Sequence, residues 1–142
     1  MQSMTSAEWR AFLMDGTRTA KVSTVRADGR PHVVPVWIVL DGNDVVFTTG
    51  AESVKGKNLQ RDPRVMICLD DERPPFAFVL IEGTAVVSDA SVQELLPWTT
   101  RLARRYMGES LAEQIGKRNA VEGELLVRVP LTKVTAQKDI AG

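Results

Sequence analysis

The sequence holds one cysteine, one histidine and one tyrosine, and each scarcity removes a class of chemistry. Cys68 has no partner for an internal disulfide, and its place in the apolar run Val65-Met66-Ile67-Cys68-Leu69 predicts a buried structural thiol. With His32 alone, a metal site built from several histidines is excluded, and a histidine-centred triad has no second candidate. The scattered carboxylates do not make up the donor set of a zinc site. Neither the loop G-x-x-x-x-G-K-S/T nor the fingerprint G-x-G-x-x-G occurs, so a P-loop or a Rossmann crossover lacks support. Charge of one sign is also missing. Lysine plus arginine number 18 and aspartate plus glutamate 18, so nothing draws the chain toward nucleic acid or an anionic membrane, and any basic site must be local. No apolar run approaches the roughly 18 residues that span a bilayer, and Met1-Gln2-Ser3-Met4 has no basic segment leading into an apolar core. The expectation is a cytoplasmic protein.

What is present fits one domain over residues 1–142: 44% hydrophobic and 25% charged residues supply one core. Thr5-Ser6-Ala7-Glu8 forms a capping box, and Trp9, Phe12 and Leu13 follow at helical spacing, which predicts a short amphipathic helix lidding a sheet. From Ala20 the period changes to two. Ala20 to Arg26 and His32 to Leu40 form a hairpin around Ala27-Asp28-Gly29-Arg30-Pro31, and Val45 to Thr49 follows the turn Asp41-Gly42-Asn43-Asp44 as a third strand. Pro35 cannot donate to a ladder, so it belongs at an edge or bulge, where a ligand often sits. A helix from Ser53 to Gln60 stops before Asp62-Pro63, and Arg64 to Leu69 is the fourth strand. Phe76 to Ser88 is a long strand with a bend expected at Gly83. Ser91-Val92-Gln93-Glu94 is a second capping box, and its helix is expected to kink or restart at Pro97 and end near Gly108. A further helix over Glu109 to Arg118 precedes closing strands at Glu124 to Val129 and Thr132 to Gln137. Six short strands joined mostly by turns favour a barrel over an α/β sheet.

The stretch with most chemistry is Phe47 to Leu59, where an apolar strand runs into a small, polar, basic turn. Thr48, Thr49 and Ser53 bring hydroxyls, Gly50 and Gly56 allow close backbone approach, and Lys55, Lys57 and Asn58 stand at the opening of a helix. Two readings stay open on these residues: the solvated face of a short helix, or an anion site. In the second, Lys55 reaches from the turn, and Lys57 with Asn58 from the first helical turn. His32 on its own is a half-exposed strand histidine beside a turn. Trp37, Phe76 and Phe78 are either core or the wall of a planar ring, with Phe76 and Phe78 on one face by alternation.

Asp28-Gly29-Arg30-Pro31-His32-Val33-Val34-Pro35-Val36-Trp37, then Ser53-x-Lys55-x-Lys57-Asn58-Leu59-x-Arg61-Asp62-Pro63-Arg64-Val65, then Glu82-Gly83-Thr84-Ala85, together resemble the split β-barrel superfamily of flavin and deazaflavin oxidoreductases. That superfamily includes pyridoxamine 5′-phosphate oxidase. The resemblance covers roughly residues 5 to 135 and is nearest to enzymes using the deazaflavin coenzyme F420, in the branch without a long N-terminal extension. It implies a mainly β fold with flanking helices, a six-stranded antiparallel Greek-key barrel that pairs as a homodimer with cofactor sites at the interface. Lys55, Lys57 and Asn58, with Ser53, would hold the cofactor phosphate. His32, Val34, Pro35, Val36 and Thr48 would line the ring and its ribityl chain, with Trp37 and Thr49 beside them. Pro75, Phe76, Ala77 and Phe78 would come from the partner subunit. Ser53 stands where some relatives have arginine, and Pro74-Pro75 where some have an aromatic.

The function implied is transfer of a hydride from reduced F420 to an electron-poor double bond of a small organic substrate. FMN in the same site is the alternative, and a non-catalytic F420-binding or storage protein is another. No side chain stands out as a general acid. Tyr106 is helical and packed, which leaves water as the proton source.

Overall fold

Alternating apolar and polar residues set the strands, and three N-terminal caps set three of the four helices. The structure, a computed structural model, describes residues 1–142. In chain order the elements are β1 (Gln2–Ser3), α1 (Ser6–Met14), β2 (Ala20–Val25), β3 (Pro31–Val36), β4 (Val39–Asp41), β5 (Asp44–Gly50), α2 (Val54–Arg61), β6 (Arg64–Asp71), β7 (Ala77–Thr84), β8 (Val86–Asp89), α3 (Val92–Met107), α4 (Glu109–Asn119), β9 (Glu124–Pro130) and β10 (Lys133–Lys138).

All pairings are antiparallel, in a sheet ordered β1-β10-β7-β6-β2-β3 and a second ordered β4-β5-β9-β8. The chain passes from one sheet to the other directly between β3 and β4, between β7 and β8, and between β9 and β10, and through α2 between β5 and β6; the three direct passages are bends of single long strands. Taken as continuous strands, these join β2, β5 and β6 into the closed six-stranded Greek-key barrel expected, the split barrel. Closure brings the inward faces together around Val22, Val45, Phe47, Ile67, Leu69, Val79, Ile81, Val127 and Val129, all fully buried. α1 lids this core with Leu13, while Trp9 and Phe12 pack at its margin. Burial of each such side chain stabilises the fold by about 1.5–3 kcal/mol, which no single surface ion pair approaches.

Four local expectations are corrected. β7 is unbroken at Gly83, and the strand breaks at Ala85 instead. Gly83 packs closely, since a Cβ there would stand 3.0 Å from Val129 Cγ1 and that side chain would have to shift. α3 continues without break or restart through Pro97. Proline removes one hydrogen bond, and the burial of Leu95, Thr99, Leu102 and Ala103 along the helix outweighs that loss. Phe76 lies before β7 with φ of 66°, so strand alternation does not apply to it. Cys68 is half-buried on the outer face of the six-stranded sheet rather than in the core, level with Lys21 and Leu80. Burial and the neighbouring Asp70 push its thiol up, which leaves it weakly nucleophilic.

Candidate functional site

The site begins with a strand edge. β3 is the last strand of its sheet, paired only with β2 through register pairs such as His32 with Thr24 and Pro35 with Lys21. The hairpin closes with the Arg26 N–H donating to the Arg30 carbonyl at 2.9 Å. Peptide groups alternate in direction along a strand, so those of residues 32, 34 and 36 turn to β2 and those of 31, 33 and 35 face away. Residues 31 and 35 are prolines, and the free edge therefore offers carbonyls with a single N–H, that of Val33. Prolines there also prevent another strand from adding to the sheet. Pro35 thus sits at an edge, as expected. Val34 and Val36 share the inner side with His32, whose Nδ1 is buried without a hydrogen-bond partner.

β5 delivers the chain to the basic turn. The Ser53 hydroxyl caps α2 by accepting the Gly56 N–H at 2.9 Å, donates to the Gly50 carbonyl at 2.7 Å and shares a hydrogen bond with the Thr49 hydroxyl at 3.2 Å. Only glycine fits at 56, because a Cβ would stand 2.0 Å from the Gly50 carbonyl oxygen. The N–H groups of Val54 and Lys55, in the first turn of α2, have no acceptor in the chain. They point along the positive end of the helix, where an anion is stabilised. Lys55 is half-buried, and burial lowers its ammonium pKa while the carboxylate of Glu124 opposes that shift.

Between the edge strand and the helical hairpin α3–α4 lies a cavity of about 420 Å³, with Pro35, Val36 and Trp37 on one wall. Leu102 of α3 and Arg118 and Asn119 of α4 form the opposite wall, with Thr48 and Glu124 at the end nearest the turn. α4 is held close to α3 by Gly116, whose carbonyl accepts the buried Thr99 hydroxyl at 2.7 Å. Behind the apolar wall, Trp37 stacks on Tyr106 with ring centroids 5.3 Å apart and planes 5° from parallel. Tyr106 donates to the Arg18 carbonyl at 2.8 Å and accepts the Ile38 N–H at 3.2 Å. Arg105 donates to the carbonyls of Leu13, Ile38 and Gly16 at 2.7, 2.7 and 3.1 Å. These bonds fix the β3–β4 corner on which the cavity rests.

A family model described as pyridoxamine 5′-phosphate oxidase matches residues 5–135. The chain belongs to the pyridoxamine 5′-phosphate oxidase family. A conserved hypothetical protein of Mycobacterium tuberculosis is similar in structure, with TM-score 0.81 and 25% identity over 96% of this chain and 86% of that one. An F420 reductase has TM-score 0.69 and 21% identity over 87% and 94%. A FAD-binding protein of Mesorhizobium loti has TM-score 0.66 and 15% identity over 95% and 93%. No curated protein matches the chain. The family is one of flavin-type oxidoreductases.

Within this family member the predicted residues are not all brought together. Pro35, Val36, Trp37 and Thr48 line the cavity, and His32 and Val34 lie on the adjoining strand. Thr49, Ser53 and Lys55 surround the turn. Lys57 is exposed and directed to Glu52 at 3.5 Å. Asn58 turns inward, only 4% exposed. Its amide donates to the Thr24 hydroxyl at 3.0 Å and its carbonyl oxygen accepts from Arg61 at 3.2 Å. Lys57 lies about 200° round the helix from Lys55, and Asn58, three residues on and so near the side of Lys55, is drawn inward by Thr24 and Arg61, so the three do not converge. Pro75, Phe76, Ala77 and Phe78 lead into β7, which is separated from β3 by β6 and β2, roughly 14 Å at the spacing of strands.

The residue sequence reasoning missed is Glu124. It opens β9 directly opposite Gly50, and burial raises its carboxyl pKa against the lowering effects of the Thr48 hydroxyl and Lys55. Arg118 and Asn119 were also missed as cavity residues. Only the pairing of β5 with β9 and the packing of α4 on α3 reveal them, and neither is written in local pattern.

Proposed function

We propose that this family member is an F420-dependent oxidoreductase acting on a small organic substrate with an electron-poor double bond. The reading is supported chiefly by the half-buried, unpaired Lys55 and the free N–H groups of Val54 and Lys55, close to Glu124, which lines one end of a cavity walled by Pro35, Val36 and Trp37. A flat ring tethered to a phosphate matches that arrangement, ring against the edge strand and anion at the turn. The buried Nδ1 of His32, on the same edge strand as Pro35 and Val36, supports it further, since a buried polar atom without a partner in the chain calls for one from outside it.

In this reading Lys55 and the first turn of α2 hold the phosphate, and Gly56 lets the turn close tightly behind it. The Val33 N–H and the neighbouring carbonyls orient the ring edge, and Trp37, backed by Tyr106, excludes water from one wall. When bound, the deazaflavin supplies the hydride, and the protein supplies position and electrostatics. The cleft is completed in a homodimer by the segment Pro75 to Phe78 of a second copy. Phe76, 40% exposed, cannot reach the cleft of its own chain, and its exposure suits a face covered by another.

FMN is the second reading, because the turn recognises the phosphate whichever ring carries it. A non-catalytic F420-binding role rests on the same site and is separated by turnover of reduced F420 with an activated alkene. Fluorescence titration with F420 and with FMN tests the site. Lys55→Met should weaken the preferred ligand by roughly tenfold or more, as expected for loss of a charge-assisted hydrogen bond to phosphate. Absence of binding of both ligands by the wild-type protein overturns the reading.

A further inference from the structure

Glu124 and Lys55 form an unusual couple. Both are half-buried, and each feels the other's charge, yet they stand farther apart than the 4.0 Å of an ion pair. A lysine and a glutamate with freedom to move close on each other where nothing comes between them. Here each projects from a fixed position and the two do not meet. Glu124 is fixed opposite Gly50 by the β5–β9 register, with Oε1 3.5 Å from the point where a Cβ on Gly50 would stand. Lys55 is fixed in the first turn of α2 by the Ser53 cap. The Thr48 hydroxyl lies beside the carboxyl group, and both line the end of the cavity next to the turn.

The two groups ask for different chemistry. An ammonium only donates hydrogen bonds, and with two free N–H groups nearby it takes an anion. An ionised carboxylate only accepts, and it repels an anion while welcoming hydroxyl donors. A ligand that satisfies both presents hydroxyl groups a few atoms from a phosphate.

We propose that Glu124 is a ligand-contacting residue of the cleft, whose carboxyl group accepts hydrogen bonds from the hydroxylated chain joining a flat ring to its phosphate. This rests on the assignment of the cavity and turn to such a cofactor. It makes Glu124 a specificity determinant: the cleft prefers a phosphorylated polyol to a bare phosphate ester on an apolar linker. It also gives a reason for a carboxylate to sit beside a phosphate site, where repulsion alone would select against it.

The experiment is a fluorescence titration of the full-length wild-type, Glu124→Ala and Glu124→Gln proteins. The probes are F420, FMN, riboflavin, which has ring and hydroxylated chain without phosphate, and lumiflavin, which has a methyl group in place of the chain. Glu124→Ala should weaken the phosphorylated ligands and riboflavin by about tenfold, with lumiflavin unchanged. Glu124→Gln keeps a carbonyl acceptor and should lose only about threefold. Unchanged riboflavin binding by Glu124→Ala, equal loss of lumiflavin, or tighter binding of the phosphorylated ligands without loss of riboflavin overturns the role of Glu124 and leaves the cofactor reading standing. If wild-type protein binds none of the four, both fall together. Near-identical circular dichroism spectra of the three proteins separate these outcomes from misfolding.

Discussion

Two regions of the molecule bury charged and polar side chains, and they treat them in opposite ways. At the C-terminal end of α3, Arg105 and Tyr106 are half-buried, and Arg105 donates to three carbonyls while the tyrosine hydroxyl both donates and accepts. At the start of α2, Lys55 has no partner of its own and Glu124 has only the neighbouring Thr48 hydroxyl, and on β3 the buried His32 Nδ1 has none. Burying a polar group is unfavourable until it is hydrogen-bonded. The first region meets that requirement within the chain and is therefore structural. The second meets it only in part, so the folded protein holds buried groups whose cost a ligand would relieve. Such clusters mark sites better than residue type does.

The largest expected effect breaks the comparison on its structural side. Arg105→Met keeps an apolar stem but strips donors from the carbonyls of Leu13, Ile38 and Gly16. It should destabilise the protein by about 3 kcal/mol in urea denaturation, the range for losing charged donors to part-buried acceptors. Ligand affinity of the folded fraction should fall by less than that loss of stability implies, since Arg105 supports the corner behind the cavity and does not touch the turn that holds the anion. A large loss of affinity with unchanged stability would place Arg105 with the cleft instead.

Asn58 stands between the two regions. Its sequence context groups it with the phosphate turn, and the structure bonds it to Thr24 and Arg61. Asn58→Ala should cost about 2 kcal/mol of stability and couple to Thr24→Val by about 1 kcal/mol in a double-mutant cycle. Lost ligand affinity with intact stability would return it to the turn's recognition set.

The barrel itself was legible because it rests on local signals: alternation in β2, the apolar run of β5, the capping boxes at Thr5 and Ser91, and turns at Gly29 and Gly42. Half of the candidate site was legible for the same reason, since Thr48 to Lys55 is one continuous strand, turn and cap. What stayed hidden depends on contacts between distant parts of the chain. Glu124 meets Gly50 only through the β5–β9 register, Arg118 reaches the cavity only because Gly116 lets α4 approach α3, and Asn58 turns away because Thr24 is there to receive it. Residue spacing showed which groups were near in sequence, but a helix of eight residues separates neighbours by its own twist.

The smallest expected effect sharpens the comparison on the side of the cleft. Burial raises the Glu124 carboxyl above its usual value near 4.5, outweighing the Thr48 hydroxyl and the Lys55 charge. The native state therefore holds this proton more tightly than the unfolded chain. Its contribution to stability is fully present below pH 4.5 and is lost as pH rises through the native value, because ionisation in the cleft is unfavourable. Glu124→Gln should be more stable than wild type at neutral pH, by roughly half a kcal/mol given the partial exposure of the group, and the difference should vanish below pH 4.5. Chemical denaturation from pH 3.5 to 8 reads this directly. A variant less stable at neutral pH would mean that the attraction to Lys55 dominates, and Glu124 would then belong with Arg105 as a satisfied structural group. If instead the variant gains stability while losing affinity for a hydroxylated ligand, the same carboxylate destabilises the empty fold and stabilises the complex, which is the signature of a group kept for binding.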